Sequence, residues 1–598
     1  MFEIEPITIV LATLLGSLVL FVTEALRFEL VAILVVVVLA GTGCLTQEEA
    51  FSGFSSPAVV LIAAMYIFGH SFTRWGVAEA LSNKFLRVDK GGEGWLVLRL
   101  VMMSGILSAF LSNTGVVATL IPVCSSLSRT SSIPISRLLM PMAFGTSVGG
   151  LVTVIATSKN LAVNQVIEAA GVEPFSLFEF SHFGVLMLSV ASLYFWGFGR
   201  RLLPRSRVDQ SLTERYQLPK FVTEVLVEPN STLINRSVED ADHFSKYNIS
   251  IIGIVRSSGE ATLLAPGRYS RIRAEDTLIL QGQPNDILRM RKDMKLLEKK
   301  WVDTKETRLY SDDVSLVEAL IPAGSPIVGE SLVSCEFQTR TGLNVLALSK
   351  HGEIQIDRVQ STTLNVGDVL LVQGHRKDIA NVASDRRLVI LDDLPPPTGN
   401  GAIVTILMLA AVLILAVLTD LPLSVLAMAG AAGLVLLGAV HAEEVPKIIN
   451  WSVIFLIGGM LALGRAFTTY GLDATVATWL TGLSSSGVSQ HGLILVLLVT
   501  TVILTQVLNH VSTAVIMAPI AIQVGKQWGL DPRPFLMAVI AGSAFAFLSP
   551  VAHQSNAMVL GPGGYQYKDF LKAGSVLTIV MIATSYFLIP LFWPFTPA

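Results

Sequence analysis

The feature that most constrains this chain is a series of apolar runs long enough to cross a lipid bilayer. A helix needs about 20 residues to span about 30 Å of hydrocarbon. Such runs lie near residues 7–25, 28–46, 57–74 and 182–200, and again near 401–420, 422–440, 451–469 and 573–595. Two longer stretches, 96–172 and 491–562, are apolar but interrupted by polar and Gly/Pro clusters. Only 15% of the 598 residues are charged, against roughly 25% in a soluble domain. Most of that charge lies between Arg200 and Asp393. The expected class is a polytopic α-helical membrane protein, partnered by the lipid bilayer, with a soluble insert. The 42 basic and 45 acidic residues give a net charge of -3, which excludes nucleic acid as a partner, because phosphate binding needs a local excess of Lys and Arg. Glu3 and Glu5 stand where a signal peptide would be basic, so the first run reads as a retained span. Cys44, Cys124 and Cys335 are isolated in sequence and read as packed free thiols.

The insert contains a duplication. Asp276-Thr-Leu-Ile-Leu-Gln-Gly282 recurs as Asp368-Val-Leu-Leu-Val-Gln-Gly374, and each is followed by an Asp-Ile pair, Asp286-Ile287 and Asp378-Ile379. Ser231 with Leu233 resembles Ser325 with Ile327, and Gly259-Glu260 resembles Gly352-Glu353. Alternating runs at 251–255 and 345–348 predict strands. Two tandem α/β modules are expected, at residues 205–300 and 301–395.

The apolar halves also resemble each other. Met65, Gly69 and Gly76 match Met460, Gly464 and Gly471 at an offset of 395, and Arg137 and Asn160 match Arg533 and Asn556 at 396. The expected architecture is two inverted repeats of five spans, residues 1–204 and 396–598, each with a re-entrant hairpin. Loop charge sets the orientation, since cytoplasmic loops carry excess Lys and Arg. Arg74, Lys84, Arg87 and Lys90 share one loop, Arg129 and Arg137 another, and Arg200, Arg201, Arg205 and Arg207 follow the fourth run, whereas the intervening loops carry Glu48 and Glu49, or Glu168, Glu173 and Glu179. Residues 471–490 have no Lys or Arg, as an inverted second repeat requires. The expected setting is the inner or plasma membrane, multi-pass, with residues 205–395 cytoplasmic and the N-terminus outside.

Four polar clusters interrupt the apolar stretches in matched pairs. Ser112-Asn113-Thr114 pairs with Asn509-His510-Val511-Ser512-Thr513, and counting back nine residues from Pro122 and Pro519 aligns Asn113 with His510. Thr157-Ser158-Lys159-Asn160 pairs with the run Ser549 to Asn556, which holds Pro550, Ala552, His553, Gln554 and Ser555. Polar backbone at membrane depth is tolerated where it is buried in protein or lines a cavity. Broken helices offer N–H groups to an anion and carbonyls to a small hard cation, so the expected ligand is an anion with a coupling cation beside it. Lys159 either faces that anion or snorkels to the interface, and the sequence favours snorkelling. His510 and His553 are candidates for proton coupling or for hydrogen bonding alone. His70 and Arg465 read as structural polar contacts.

At these residues the sequence resembles the divalent anion/sodium symporter family, in its branch with two TrkA-C type modules (potassium-conductance-regulator C-terminal) between the membrane halves. The resemblance rests on Ser112-Asn113-Thr114 and on the run from Ser549 to Tyr565. It implies a sulfate permease working as a homodimer by an elevator-like movement. The implied substrate set is Ser112, Asn113, Thr114, Ser158, Asn509, His510, Ser512, Thr513, Gln554, Ser555 and Asn556. The implied cation set is Ser112, Asn113, Thr157, Asn160, Asn509, Ala552 and Asn556, with sodium as the coupling ion and no other metal or cofactor. Asn509-His510-Val511 departs from the family's second Ser-Asn-Thr, and an imidazole is a poor partner for sodium, which leaves the proton as the alternative coupling ion.

The resemblance also implies a nucleotide ligand, such as cyclic di-AMP, on residues 205–395, with a purely structural role as the alternative. Neither a Gly-x-Gly-x-x-Gly turn nor a Walker-type loop occurs in that region, so a dinucleotide or ATPase domain is not expected. Competing readings are a dicarboxylate symporter and a regulator-gated cation channel or exporter. A channel filter of the Thr-Val-Gly-Tyr-Gly kind is absent from the sequence, and an enzyme is not expected, since no nucleophile, base and orienting group share a consistent spacing.

Overall fold

The computed structural model describes residues 5–23, 26, 28–77, 86, 92–131, 133–204, 222–238, 249–257, 263–264, 266, 270–299, 314–350, 353–355, 359–384, 387–391, 400–472, 474–475, 478, 489–508 and 510–595. Asn509, Gly259-Glu260, the basic residues Lys84, Arg87, Lys90, Arg205 and Arg207, most of 471–490 and the expected module junctions lie outside the described residues.

The N-terminal half forms α1 (Pro6–Thr23), α2 (Phe28–Gly41), α3 (Gln47–Phe51), α4 (Pro57–Arg74), α5 (Gly92–Ser108), α6 (Asn113–Ser131), α7 (Leu139–Gly149), α8 (Ser158–Ala169) and α9 (Ser181–Gly197). The insert forms β1 (Val222–Val227), β2 (Ser250–Val255), β3 (Leu263–Leu264), β4 (Thr277–Gln281), α10 (Pro284–Met294), β5 (Leu296–Lys299), β6 (Val314–Leu320), α11 (Phe337–Thr341), β7 (Asn344–Lys350), β8 (Glu353–Gln355), β9 (Val369–His375), α12 (Arg376–Ser384) and β10 (Val389–Ile390). The C-terminal half forms α13 (Gly401–Leu418), α14 (Leu423–Leu436), α15 (Val445–Ile448), α16 (Trp451–Thr469), α17 (Gln490–Val507), α18 (His510–Gln527), α19 (Arg533–Ala544), α20 (Gln554–Gly563) and α21 (Tyr567–Phe592). Among the described residues, five helical stretches are long and apolar enough to cross a bilayer.

Matching residues in the two halves do matching work. Thr46 caps α3 in a box with Glu49, and His441 with Glu444 forms the same box 395 residues later. Each box glutamate then reaches the other half. Glu444 accepts from Arg74 of α4 at 2.5 Å and lies 3.6 Å from His70, while Glu49 pairs with Arg465 of α16 at 3.4 Å. The packing is exchanged as well: α2 lies on α16, α4 on α14, α8 on α18, and α20 on α6 and α7. The approach of α2 to α16 requires glycine, since a Cβ on Gly459 would lie 2.5 Å from the Ala32 carbonyl oxygen. Tyr565, just past α20, accepts from the Met140 N–H at 2.9 Å and donates to the Ser136 carbonyl, fastening α20 to the start of α7.

The insert holds two five-stranded antiparallel sheets, ordered β3-β2-β4-β1-β5 and β10-β6-β9-β7-β8. Read from its other edge, the second sheet repeats the order of the first. The likeness extends to single bonds. The Ser231 hydroxyl donates to the Met294 carbonyl and that of Ser325 to the Arg387 carbonyl, both at 2.7 Å. Asp276 accepts the Arg273 N–H and Asp368 the Asn365 N–H, at 2.7 and 2.8 Å. Each sheet has its own core, and Val222, Ile252, Ile279, Leu346, Ala347 and Leu371 join the two. The second sheet docks on the membrane halves, where Leu320, Val369 and Leu391 enter the main helical core. Its Gly367, at φ +88, abuts α20: a Cβ there would meet the Ala557 carbonyl oxygen at 2.0 Å. The corresponding residue of the first sheet is Glu275, also left-handed at φ +63.

Candidate functional site

Two hairpins and two broken helices meet at one place. Each hairpin turns back just before a polar residue, so that α6 begins at Asn113 and α18 at His510. Each of these second arms carries an internal proline, Pro122 or Pro519. The break between α7 and α8 runs over residues 150–157, and that between α19 and α20 over 545–553. One asparagine spans each gap. The Asn160 amide NH2 donates to the Gly150 and Thr153 carbonyls at 2.8 and 3.1 Å, and that of Asn556 donates to the Ala546 and Ser549 carbonyls at 2.6 and 3.2 Å. The acceptors sit ten and seven residues upstream in both halves. These bonds satisfy backbone acceptors that a broken helix leaves orphaned.

At this place Asn113 of the first half meets His553 of the second, on which His510 stacks. The Asn113 amide lies 3.2 Å from His553 Nε2, and Asn113 Oδ1 accepts from the Ser108 hydroxyl at 2.6 Å. His553 Nδ1 accepts from the Ser555 N–H at 3.1 Å and so caps α20. The Asn113 NH2 and the Ser555 N–H thus both face ring nitrogens of His553, and a neutral imidazole accepts at one of them. The His510 ring stacks on His553 with centroids 4.6 Å apart. Asn113 also borders the first break, where its Oδ1 would be 3.6 Å from a Cβ built on Gly150. The N-termini of α6, α8, α18 and α20 thus converge, and N-terminal N–H groups with their positive dipole ends favour an anion.

Among the described residues, several buried polar atoms in this region have no partner: Thr157 Oγ1 and Asn160 Oδ1 in the first half, and His510 Nδ1, Ser512 Oγ, Thr513 Oγ1, Ser555 Oγ and Asn556 Oδ1 in the second. A buried group left unsatisfied costs about 1–3 kcal/mol, so such a cluster is suited to a ligand. The two amide oxygens suit a hard cation, and the hydroxyls suit either an ion or an anion's oxygens. Lys159 is 2% exposed and its ammonium donates to the Ile540 carbonyl at 3.1 Å. The snorkelling reading of Lys159 is thereby overturned: the side chain is held between α8 and α19, inside the protein. Residues 104–128, 145–165, 500–525 and 540–560 hold no Asp, Glu, Lys or Arg except Lys159, which is thus the charged residue of the breaks and their flanks. Among the described residues no three His, Cys, Asp or Glu side chains form a metal cluster.

The residues singled out from sequence are placed as follows. Asn113, Thr157, Asn160, Ser512, Thr513, Ser549, Ala552, His553, Ser555 and Asn556 are buried, whereas Ser112, Thr114, Ser158 and His510 are half-buried. Ser112 Oγ accepts from the Gly115 N–H at 3.3 Å, in the first turn of α6. Gln554 is exposed, and Asn509 lies outside the described residues. Sequence reasoning missed the carbonyl pairs bridged by Asn160 and Asn556, although the repeated Asn at an offset of 396 was the visible signal.

The sequence profile of the CitMHS family, described as citrate transporter, matches residues 18–542 and 483–596. An uncharacterised transporter of Synechocystis is 31% identical over 99% of this chain and 98% of its own length. An uncharacterised transporter of Escherichia coli is 31% identical over 98% of this chain and 99% of its own length. Sodium/sulfate cotransporter 2 of Chlamydomonas reinhardtii is 23% identical over 62% of this chain and 43% of its own length. With its apolar helices and this match, the chain is a multi-pass membrane protein that belongs to the citrate transporter family, whose members are transporters and not enzymes.

Proposed function

We propose that this transporter carries a small divalent anion, sulfate, into the cell by cation symport. The observation that carries the reading is the meeting of four helix N-termini beside buried Lys159, with no carboxylate in the flanking sequence. Such a site attracts negative charge and returns none of its own. The name of the Chlamydomonas relative supports sulfate and sodium. Thr157 Oγ1 and Asn160 Oδ1 are the oxygens offered to sodium in the first half, and His510, in the second, makes the proton the alternative coupling ion.

The finer architecture belongs to the same proposal. The 395 and 396 offsets and the exchanged packing support two inverted repeats of five spans. The resemblance supports a homodimeric elevator in the cell membrane, with residues 205–395 cytoplasmic and the N-terminus outside. The insert is read as two TrkA-C type modules that regulate the carrier through the Gly367 contact with α20, with a nucleotide such as cyclic di-AMP as ligand. The second reading is a carboxylate substrate, favoured by the citrate description of the family.

The test is uptake of labelled sulfate, succinate and citrate into proteoliposomes, with sodium and proton gradients imposed separately. Saturable sulfate uptake driven by sodium, and lost in N113A, is the expected result. Preference for succinate or citrate moves the substrate to the second reading, and equal flux without a cation gradient sinks symport. For the insert, a rise in the melting temperature of the full chain with cyclic di-AMP is expected, and no shift with any adenine nucleotide leaves the structural role.

A further inference from the structure

A cavity of about 750 Å³ lies far from the transport site, where the start of α5, the end of α9 and the approach to α7 come together. Its lining includes Glu93, Trp95, Arg137, Trp196, Arg200 and Arg201. Three arginines against one glutamate leave an excess of two positive charges. Arg137 uses one nitrogen, Nη1, to hold both Glu93 carboxylate oxygens at 2.7 and 2.8 Å, while its buried Nε has no partner among the described residues. Trp95 and Trp196 meet edge to face with centroids 5.9 Å apart and remain 48% and 41% exposed. Exposed tryptophan pairs of this kind suit the boundary between hydrocarbon and water.

The same two helices continue the site away from the arginines. They pack antiparallel, with Leu188 of α9 set against Gly105 of α5. Their outward residues Ile106, Val185, Leu186 and Leu193 are 43–57% exposed, forming an apolar wall that ends at the tryptophans. The hairpin tip stands at the opposite end of α5, about 25 Å away for a 17-residue helix, so the cavity is separate from the transport site.

We infer that the cavity binds the headgroup of an anionic phospholipid whose acyl chains lie along the wall of α5 and α9. The arginines supply the forked donors that phosphate takes, and basic pockets between membrane helices select acidic headgroups. A free phosphate would use the arginines and leave the tryptophans and the apolar wall without a role.

The experiment uses the full-length protein in phosphatidylcholine nanodiscs containing a small fraction of phosphatidylglycerol. Lipids retained by the protein are counted by native mass spectrometry, and tryptophan quenching by brominated lipids is read in parallel. The wild type is expected to retain phosphatidylglycerol over phosphatidylcholine by on the order of tenfold, and R200Q/R201Q to lose that preference while keeping its melting temperature. R200K/R201K, which keeps the charge, should restore most of it, and W196L should reduce quenching by brominated phosphatidylglycerol. Equal retention of the two lipids overturns the proposal, as does an unchanged preference in R200Q/R201Q. Displacement of phosphatidylglycerol by millimolar inorganic phosphate overturns it too, assigning the cavity to a free anion. If R200Q/R201Q melts lower than wild type, W196L quenching decides: unchanged quenching overturns the lipid site and reduced quenching supports it.

Discussion

At the scale of single residues, the two bridging asparagines and Lys159 separate structure from transport. Asn160 and Asn556 each hold a helix break together with two hydrogen bonds, and among the described residues neither Oδ1 has a partner. Replacing either by Ala is expected to cost about 1–3 kcal/mol of stability, seen as a lower melting temperature in detergent, and to abolish uptake. Lys159→Met keeps the packing and removes the charge. We expect its KM for the anion to rise at least about tenfold, equivalent to about 1.4 kcal/mol, with an intact melting temperature. Unchanged KM would assign Lys159 to helix packing alone. Cys335, in the second sheet domain, tests the reading of the cysteines as inert. Burial, with Glu330 nearby, holds its thiol above the ordinary value, so the thiolate is scarce near pH 7 and maleimide labelling should be slow there, rising only at alkaline pH.

At the scale of elements, Gly367 and Glu275 show what docking demands. Both sit in the left-handed region at equivalent turns. Glu275 is exposed at its turn, whereas a side chain at 367 would run into the Ala557 carbonyl on α20. Gly367→Ala is therefore expected to destabilise the full chain by more than about 1 kcal/mol, and Glu275→Ala by less than about 0.5 kcal/mol, both read from melting curves. Because α20 carries Ser555 and Asn556, Gly367→Ala should also change uptake rates, which Glu275→Ala should not.

At the scale of the whole molecule, the halves are interdependent. The packing of α2 on α16, α4 on α14, α8 on α18 and α20 on α6 means that neither half buries its own surfaces alone. Residues 1–204 expressed alone should aggregate on size-exclusion chromatography in detergent, and co-expression with residues 205–598 should recover a single species. A monodisperse 1–204 fragment would show that the exchanged contacts are dispensable.

Much of this was legible in the chain itself. Hydrophobic length determined the membrane class, because apolar runs of that length have few other stable placements, but not every span: the runs at 28–46 and 422–440 form helices of only 14 residues, Phe28–Gly41 and Leu423–Leu436. The offsets of 395 and 396 announced matched halves, since equivalent positions such as Asn160 and Asn556 must repeat the same local bond pattern. The repeated Asp-containing segments announced the twin sheets, because Asp276 and Asp368 cap equivalent turns. Partner choice was not legible. Sequence spacing carries no information on which break a hairpin tip will face, so the meeting of Asn113 with His553 was decided by the exchange of helices between halves. The burial of Lys159 belongs there too: an identical local sequence would snorkel if α19 were absent. The same holds for Gly367, whose need for glycine arises from a backbone nearly two hundred residues away.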